Sequence, residues 1–223
     1  MTRRFYVTGT DTDVGKTVVA AALAGTLLRR FGSATVVKIA QTGLAPDAVG
    51  DAQTAGELAG CRFEELARFE HAADPWSAAL SAGAAPLRAG ELATRIEGFD
   101  GALVAEGSGG AAVPLNEHES ISEVALRCGL AALLVVGLRL GCINHALLTL
   151  EFLERRGIAV CGAILCERWQ AVDAARRADA VRVLRPRVPL LGTIAFDESK
   201  GALFERASSA AERFVGLNRA RAE

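Results

Sequence analysis

An apolar run, RFYVT at residues 4–8, passes through GTDTDVGKT into a long stretch rich in Ala, Val and Leu. A strand that turns through such a loop straight into a helix restricts the fold more than any other feature of the chain. The loop's backbone N–H groups and the N-terminus of the helix converge on one point, and that point favours phosphate. The pattern G-x-x-x-x-G-K-[ST] asks for Gly where Thr10 stands, and Gly9 lies one residue early. Gly15, Lys16 and Thr17 keep the rest: the Lys16 ammonium supplies a mobile positive charge and the Thr17 hydroxyl a ligand for Mg²⁺.

Short apolar runs alternate with longer helix-like segments along the rest of the chain. Strands are predicted at 5–8, 35–39, 102–105, 132–136, 160–165 and 190–194, and helices at 15–31, 51–59, 90–97, 121–128, 143–156, 171–184 and 200–215. The strand runs are continuously apolar rather than alternating, as expected where helices cover both faces of a sheet. The fold expected is therefore α/β: a P-loop NTPase-like, mostly parallel sheet with right-handed crossovers, flanked by helices on both faces. Residues 71–90 are the least periodic and are expected to hold loops and a short helix. At 223 residues, with no linker, repeat or low-complexity tract, the chain is expected to form one domain over residues 1–223.

Charge and cysteine content narrow the function classes. Lys+Arg of 25 against Asp+Glu of 26 argues against a nucleic-acid partner. No apolar run approaches the ~18 residues that span a bilayer, and no signal-like segment opens the chain. Five cysteines with no C-x-x-C pair point to neither a disulfide framework nor a zinc site. A soluble, cytoplasmic protein is expected. The charged end RFVGLNRARAE is expected to fray.

Three further stretches carry chemistry. Glu106 closes the strand GALVAEG and emerges at the sheet's carboxyl edge, where ligands bind in open α/β folds. Asp51 opens the helix at 51–59; as an ordinary helix cap it needs no metal, but with Thr17 and Glu106 it supplies the hard oxygens that Mg²⁺ takes. In KIAQTG, Lys38 sits at the end of an apolar strand. Beside bound phosphate, a second cation there stabilises charge in phosphoryl transfer. The formal G-x-G-x-x-A in EGSGGAA is followed by VPLN rather than a helix, which excludes a dinucleotide site and leaves a loop for close approach to a substrate.

Together these stretches resemble the dethiobiotin synthetase family over nearly the whole chain. VTGTDTDVGKT, KIAQTG, VAEGSGG and VVGLRLGCINHALLT are similar to its four motifs, and VPLLGTIA to its nucleotide-side loop. The resemblance implies ATP-dependent carboxylation of 7,8-diaminononanoate by CO₂ and closure of a ureido ring, with Mg²⁺ required. It implies that Lys16 and Lys38 neutralise phosphate and carbamate oxygens, and that Thr17, Asp51 and Glu106 hold the metal. Thr12 and Thr42 are implied to bond the diamine, the carbamate or the transferred phosphoryl group. The nucleotide is implied to lie on Asp13, Val14, Gly15, Lys16, Thr17, Val18, Glu106 and Gly107, with Cys166 and Glu167 on the base side. The substrate is implied to meet Gly109 and Gly110. In the family, a Gly-led helix start from the neighbouring subunit completes the substrate site; in this chain Leu140, Gly141, Cys142, Ile143 and Asn144 fill that place, which implies a homodimer. Cys142 and His145 are expected to pack their helix rather than to form a catalytic pair.

Cys166-Glu167 stands where the family usually has Asn-Asp. A thiol reads adenine's donor and acceptor edge poorly, so relaxed nucleobase selectivity is expected. A switch-type P-loop ATPase working through a protein partner is the alternative reading, but those carry a second lysine where this loop has Asp11.

Overall fold

The computed structural model describes residues 3–220, with side chains through residue 216. Seven strands form one parallel sheet: β1 (Arg4–Gly9), β2 (Ala34–Lys38), β4 (Arg62–Glu65), β6 (Ala102–Glu106), β7 (Ala131–Gly137), β8 (Val160–Cys166) and β9 (Leu190–Ile194). Their order across the sheet is β4-β2-β6-β1-β7-β8-β9. A separate two-stranded parallel ladder joins β3 (Gln41–Thr42) to β5 (Arg68–Phe69).

Alternate residues of each strand enter different cores, which explains the unbroken apolar runs. Phe5, Val7, Val36, Val104, Leu133, Val135 and Ile164 pack on one face against α1 (Lys16–Phe31) and α8 (Lys200–Ala220). Tyr6, Val37, Leu103, Ala105 and Ala132 face the other way, towards α4 (Ala89–Glu97) and α5 (Ser122–Arg127). Leu134, Val136, Ala163 and Leu165 meet α6 (Cys142–Arg155) and α7 (Ala174–Leu184) on that same second face. Helix α8 is fastened at Phe214, whose ring meets Phe5 edge-on with centroids 4.9 Å apart.

Each predicted strand and helix is present, with ends shifted by a few residues. Helix α8 runs past the expected residue 215 to Ala220, and residues 221–223 of the end expected to fray lie outside the described residues. Strands β3, β4 and β5 are additions to the expected set. Within residues 71–90 the short helix is α3 (Pro75–Ser81), capped by Asp74, whose carboxylate accepts from Ser77 N at 2.9 Å. No disulfide forms among the described residues, and no helix among them is long and apolar enough to cross a membrane.

The strand order brings the site together. Strands β2, β6 and β1 are neighbours, so the residues ending β2 and β6 stand beside the loop that leaves β1. That loop, the KIAQTG segment and the VAEGSGG segment therefore share one edge of the sheet.

Candidate active site

The phosphate loop is tied to the neighbouring strand at its start. Thr10 N donates to Val135 O at 3.0 Å, and the Thr10 hydroxyl accepts from Gly137 N at 3.3 Å. Val14 is fully buried. Asp13 is the sole non-glycine residue with positive φ among those described, at 56°, a conformation Asp tolerates better than most. Gly15 follows at φ 100° and opens α1; a Cβ there would lie 2.8 Å from Cys166 Sγ. Glycine at that position is thus required by both backbone and packing. The Lys16 ammonium spans the loop and donates to Asp11 O at 2.7 Å.

Lys38, Asp51, Glu106 and Thr17 meet at the floor of a cleft of about 770 Å³. Lys38 Nζ lies 2.8 Å from Glu106 Oε1 and 2.6 Å from Asp51 Oδ2, and donates to Gly107 O at 3.2 Å. The Thr17 hydroxyl donates to the same Glu106 Oε1 at 3.0 Å. The other oxygen, Glu106 Oε2, is buried and has no hydrogen-bond partner among the described residues.

Charge and burial compete at this point. Burial pulls the Lys38 ammonium down, but Glu106 and Asp51 outweigh it and hold its pKa above the ordinary lysine value. Burial raises Asp51, and Lys38 more than reverses that, leaving the carboxyl below its usual range. For Glu106 burial wins: its carboxyl stays above the usual range even beside Lys38. Burial, reinforced by Lys38, lowers Lys16 to about 8 against the opposing pull of Glu106, Asp51 and Asp13. Two carboxylates and a hydroxyl around one point form a hard-oxygen donor set of the kind a Mg²⁺·phosphate complex takes. No group of three or more His, Cys, Asp or Glu forms a metal cluster among the described residues, so this set needs phosphate or water oxygens to complete a shell.

The cleft wall holds Thr12, Asp13, Gly15, Val18, Thr42 and Gly109 as well. Gly107 and Gly110 do not line the cleft themselves: Gly107 carries the carbonyl that meets Lys38, and Gly110 packs near the Gly9 and Thr10 carbonyls. Cys166 and Glu167 do not line the cleft. The Cys166 thiol is buried against Gly15, and Glu167 accepts from Arg177 Nε at 2.8 Å and Phe196 N at 3.3 Å. Their neighbour Arg168 lines the cleft instead, together with Glu198 and Lys200. Cys166 and Glu167, expected on the base side, are both buried at the end of β8 and so lie outside the cleft within this chain. Gln41 also lines the cleft, and its place inside the KIAQTG stretch is the one signal in the sequence that could have marked it.

Leu140, Gly141, Cys142 and Ile143 line a separate depression of about 340 Å³, and Asn144 is exposed on α6. Within one chain these residues are not brought to the cleft. Leu140 is 87% exposed. Cys142 is buried against the sheet and His145 is half-buried, and no side-chain hydrogen bond joins the two among the described residues.

Comparison with known proteins separates the fold from the chemistry. The septum site-determining protein MinD from Pyrococcus horikoshii, solved with Mg-ADP, superposes with a TM-score of 0.62 at 20% identity, with all of both chains covered. A plasmid partition protein from Borrelia burgdorferi gives 0.63 at 10% identity, covering 96% of this chain and 99% of that one. Likeness at that distance speaks for the fold alone. A family model described as an AAA domain matches residues 3–201. The ATP-dependent dethiobiotin synthetase BioD of Streptomyces coelicolor is 37% identical over 84% of this chain and 82% of its own. That of Corynebacterium diphtheriae is 36% identical over 90% of this chain and 91% of its own. At that identity and coverage, the chain belongs to the ATP-dependent dethiobiotin synthetase family.

Proposed function

We propose that this chain joins CO₂ to 7,8-diaminononanoate at the expense of ATP, giving dethiobiotin, ADP and phosphate. Its family makes it an ATP-dependent ligase of biotin biosynthesis. The observation that carries the finer reading is the meeting of Lys38, Asp51, Glu106 and Thr17 at the cleft floor, beside the phosphate loop.

In this reading one substrate amine takes up CO₂ as a carbamate. A carbamate oxygen attacks the γ-phosphorus of ATP, ADP leaves, and a carbamic–phosphoric anhydride results. The second amine attacks the carbonyl carbon, expels phosphate and closes the ring. The protein supplies no nucleophile; its part is to position the reactants and neutralise charge. Lys16 and the loop N–H groups hold the phosphates. Lys38, tied to two carboxylates, is fixed where charge develops and cannot swing away. Thr12 and Thr42 line the same cleft and serve as hydroxyl partners for the carbamate or the acceptor amines. Thr17, Asp51 and Glu106 would hold Mg²⁺, which when bound offsets charge on the β- and γ-phosphate oxygens. The orphaned Glu106 Oε2 supports that assignment.

The exposed Leu140 and the position of residues 140–144 outside the cleft support a homodimer in which this helix start reaches the neighbour's site. The internal engagement of Glu167 and Cys166 supports a nucleotide site with little base discrimination.

Phosphate release from Mg·ATP and bicarbonate, with and without the diamine, tests the function. Release that depends on the diamine and matches dethiobiotin formed agrees with it; hydrolysis indifferent to the diamine, with no ring product, contradicts it. Repeating the assay with CTP and GTP tests the base site.

A further inference from the structure

Asp51 begins α2 (Asp51–Ala59), and the residue before it, Gly50, has no side chain with which to cap the helix. The cap comes from elsewhere. The Gln41 side-chain oxygen accepts from Asp51 N at 3.0 Å, while its amide nitrogen donates to Thr42 O at 3.3 Å. Gln41 is 5% exposed and is itself held by the β3–β5 ladder, where its N–H donates to Ala67 O at 2.8 Å. Its ladder partner is Arg68.

Arg68 holds the other side of the same loop. Its Nη1 donates to Ala45 O at 2.7 Å and Ala48 O at 3.0 Å. Glu65 fixes that guanidinium through Nε at 2.8 Å and Nη2 at 2.9 Å, the two-pronged geometry that best orients a guanidinium. A Cβ on Gly50 would lie 1.9 Å from Glu65 Oε1, so the chain just ahead of Asp51 is laid directly on this pair.

We infer that Gln41 and Arg68 are positioning residues which aim the Asp51 carboxylate, and through it the divalent cation, at the nucleotide phosphates. The inference rests on the reading of Asp51 as a metal ligand. Neither side chain needs to touch the metal: Gln41 sets the backbone of Asp51, and Arg68 sets the loop that delivers it. A loop left to itself would spread Asp51 over several orientations, and Lys38 would then have one carboxylate partner in place of two.

The test uses Mn²⁺ as probe, followed by electron paramagnetic resonance with ADP present, in wild type, Gln41→Met, Arg68→Lys and Asp51→Asn. Disturbing a group that orients a metal ligand weakens affinity by about tenfold or more, and that loss is expected for Gln41→Met and Arg68→Lys. The Mg²⁺ concentration for half-maximal turnover should rise in parallel while the diamine KM holds. Unchanged Mn²⁺ affinity, with only a lower melting temperature, would overturn the inference and leave a structural role. Should Gln41→Met not fold, Arg68→Lys carries the same test, since its bonds lie in the outer loop. Asp51→Asn with wild-type Mn²⁺ affinity would also overturn it. A wild-type protein that binds Mn²⁺ with ADP yet closes no ring would contradict the proposed reaction and leave this inference standing.

Discussion

Lys38 and Glu106 are register partners on adjacent parallel strands, and their side chains meet at 2.8 Å at the carboxyl edge of the sheet. Register therefore fixes the distance between the cation and the carboxylate before any ligand arrives. A buried pair of this kind is strongly destabilised when one member is removed, by about 3 kcal/mol or more. Lys38→Met should lower nucleotide-free stability by about that amount and kcat by roughly 10²–10³. Adding Glu106→Gln should recover part of the stability and none of the activity. Denaturant unfolding and turnover on the same preparations check both.

Gly15 and Cys166 make a second close relationship. Gly15→Ala meets two penalties: a left-handed φ, worth about 1–2 kcal/mol, and a Cβ placed 2.8 Å from Cys166 Sγ. Adding Cys166→Ala removes the contact and leaves the backbone penalty. The double variant should fall between wild type and Gly15→Ala in both melting temperature and nucleotide affinity. Equal losses in single and double variants would contradict the packing account.

The Cys166 thiol itself titrates late. Burial pushes it up to about 12, with Arg168 opposing and Glu167 adding slightly. An unfolded thiol loses its proton at about 8.5, so the folded state holds a proton that the unfolded state releases. The sign follows: stability is level below about pH 8 and declines as pH rises from about 9 towards 12, by at most ~1.4 kcal/mol per pH unit. Maleimide at about pH 9 should leave Cys166 unlabelled in native protein and label it in denaturant, read by peptide mass.

Asp74 caps α3 and lines the cleft. Burial raises its carboxyl, but hydrogen bonds from Ser77 more than compensate and hold it below its ordinary value. Its contribution is therefore present above the ordinary carboxylate pKa and is lost as pH falls through the lower native value. Asp74→Ala should cost about 1 kcal/mol, and Asp74→Asn should retain most of the cap while flattening the acid limb. Thermal unfolding between about pH 3 and 7 reads both.

The parts of this site legible in the sequence are those whose chemistry is local. The phosphate loop announces itself through Gly15, Lys16 and Thr17 at a strand-to-helix turn, and Lys38 and Glu106 through charge at the end of apolar runs. Two continuously apolar strands ending in opposite charges are readable; that they lie side by side is not, because strand order is set by long-range pairing. The β3–β5 ladder leaves no sequence signal. Each strand has two residues, and Arg68 reads as an ordinary surface charge until its contacts with the Asp51 loop are seen. Strand β4, RFEE, escapes because its charged, exposed pattern lacks an apolar run. That Cys166 and Glu167 are buried while Arg168 lines the cleft is set by distant packing: Arg177 and Phe196, which engage Glu167, come from later elements.

Following oxygen through turnover probes the proposed anhydride at its source. If a carbamate oxygen attacks the γ-phosphorus and the second amine then expels phosphate, one oxygen from CO₂ must leave in that phosphate. Turnover in ¹⁸O-labelled bicarbonate, quenched before exchange with water, should give phosphate carrying one labelled oxygen for each dethiobiotin formed. Phosphate that takes its new oxygen from solvent alone would contradict the anhydride route, and with it the charge-neutralising roles of Lys16 and Lys38.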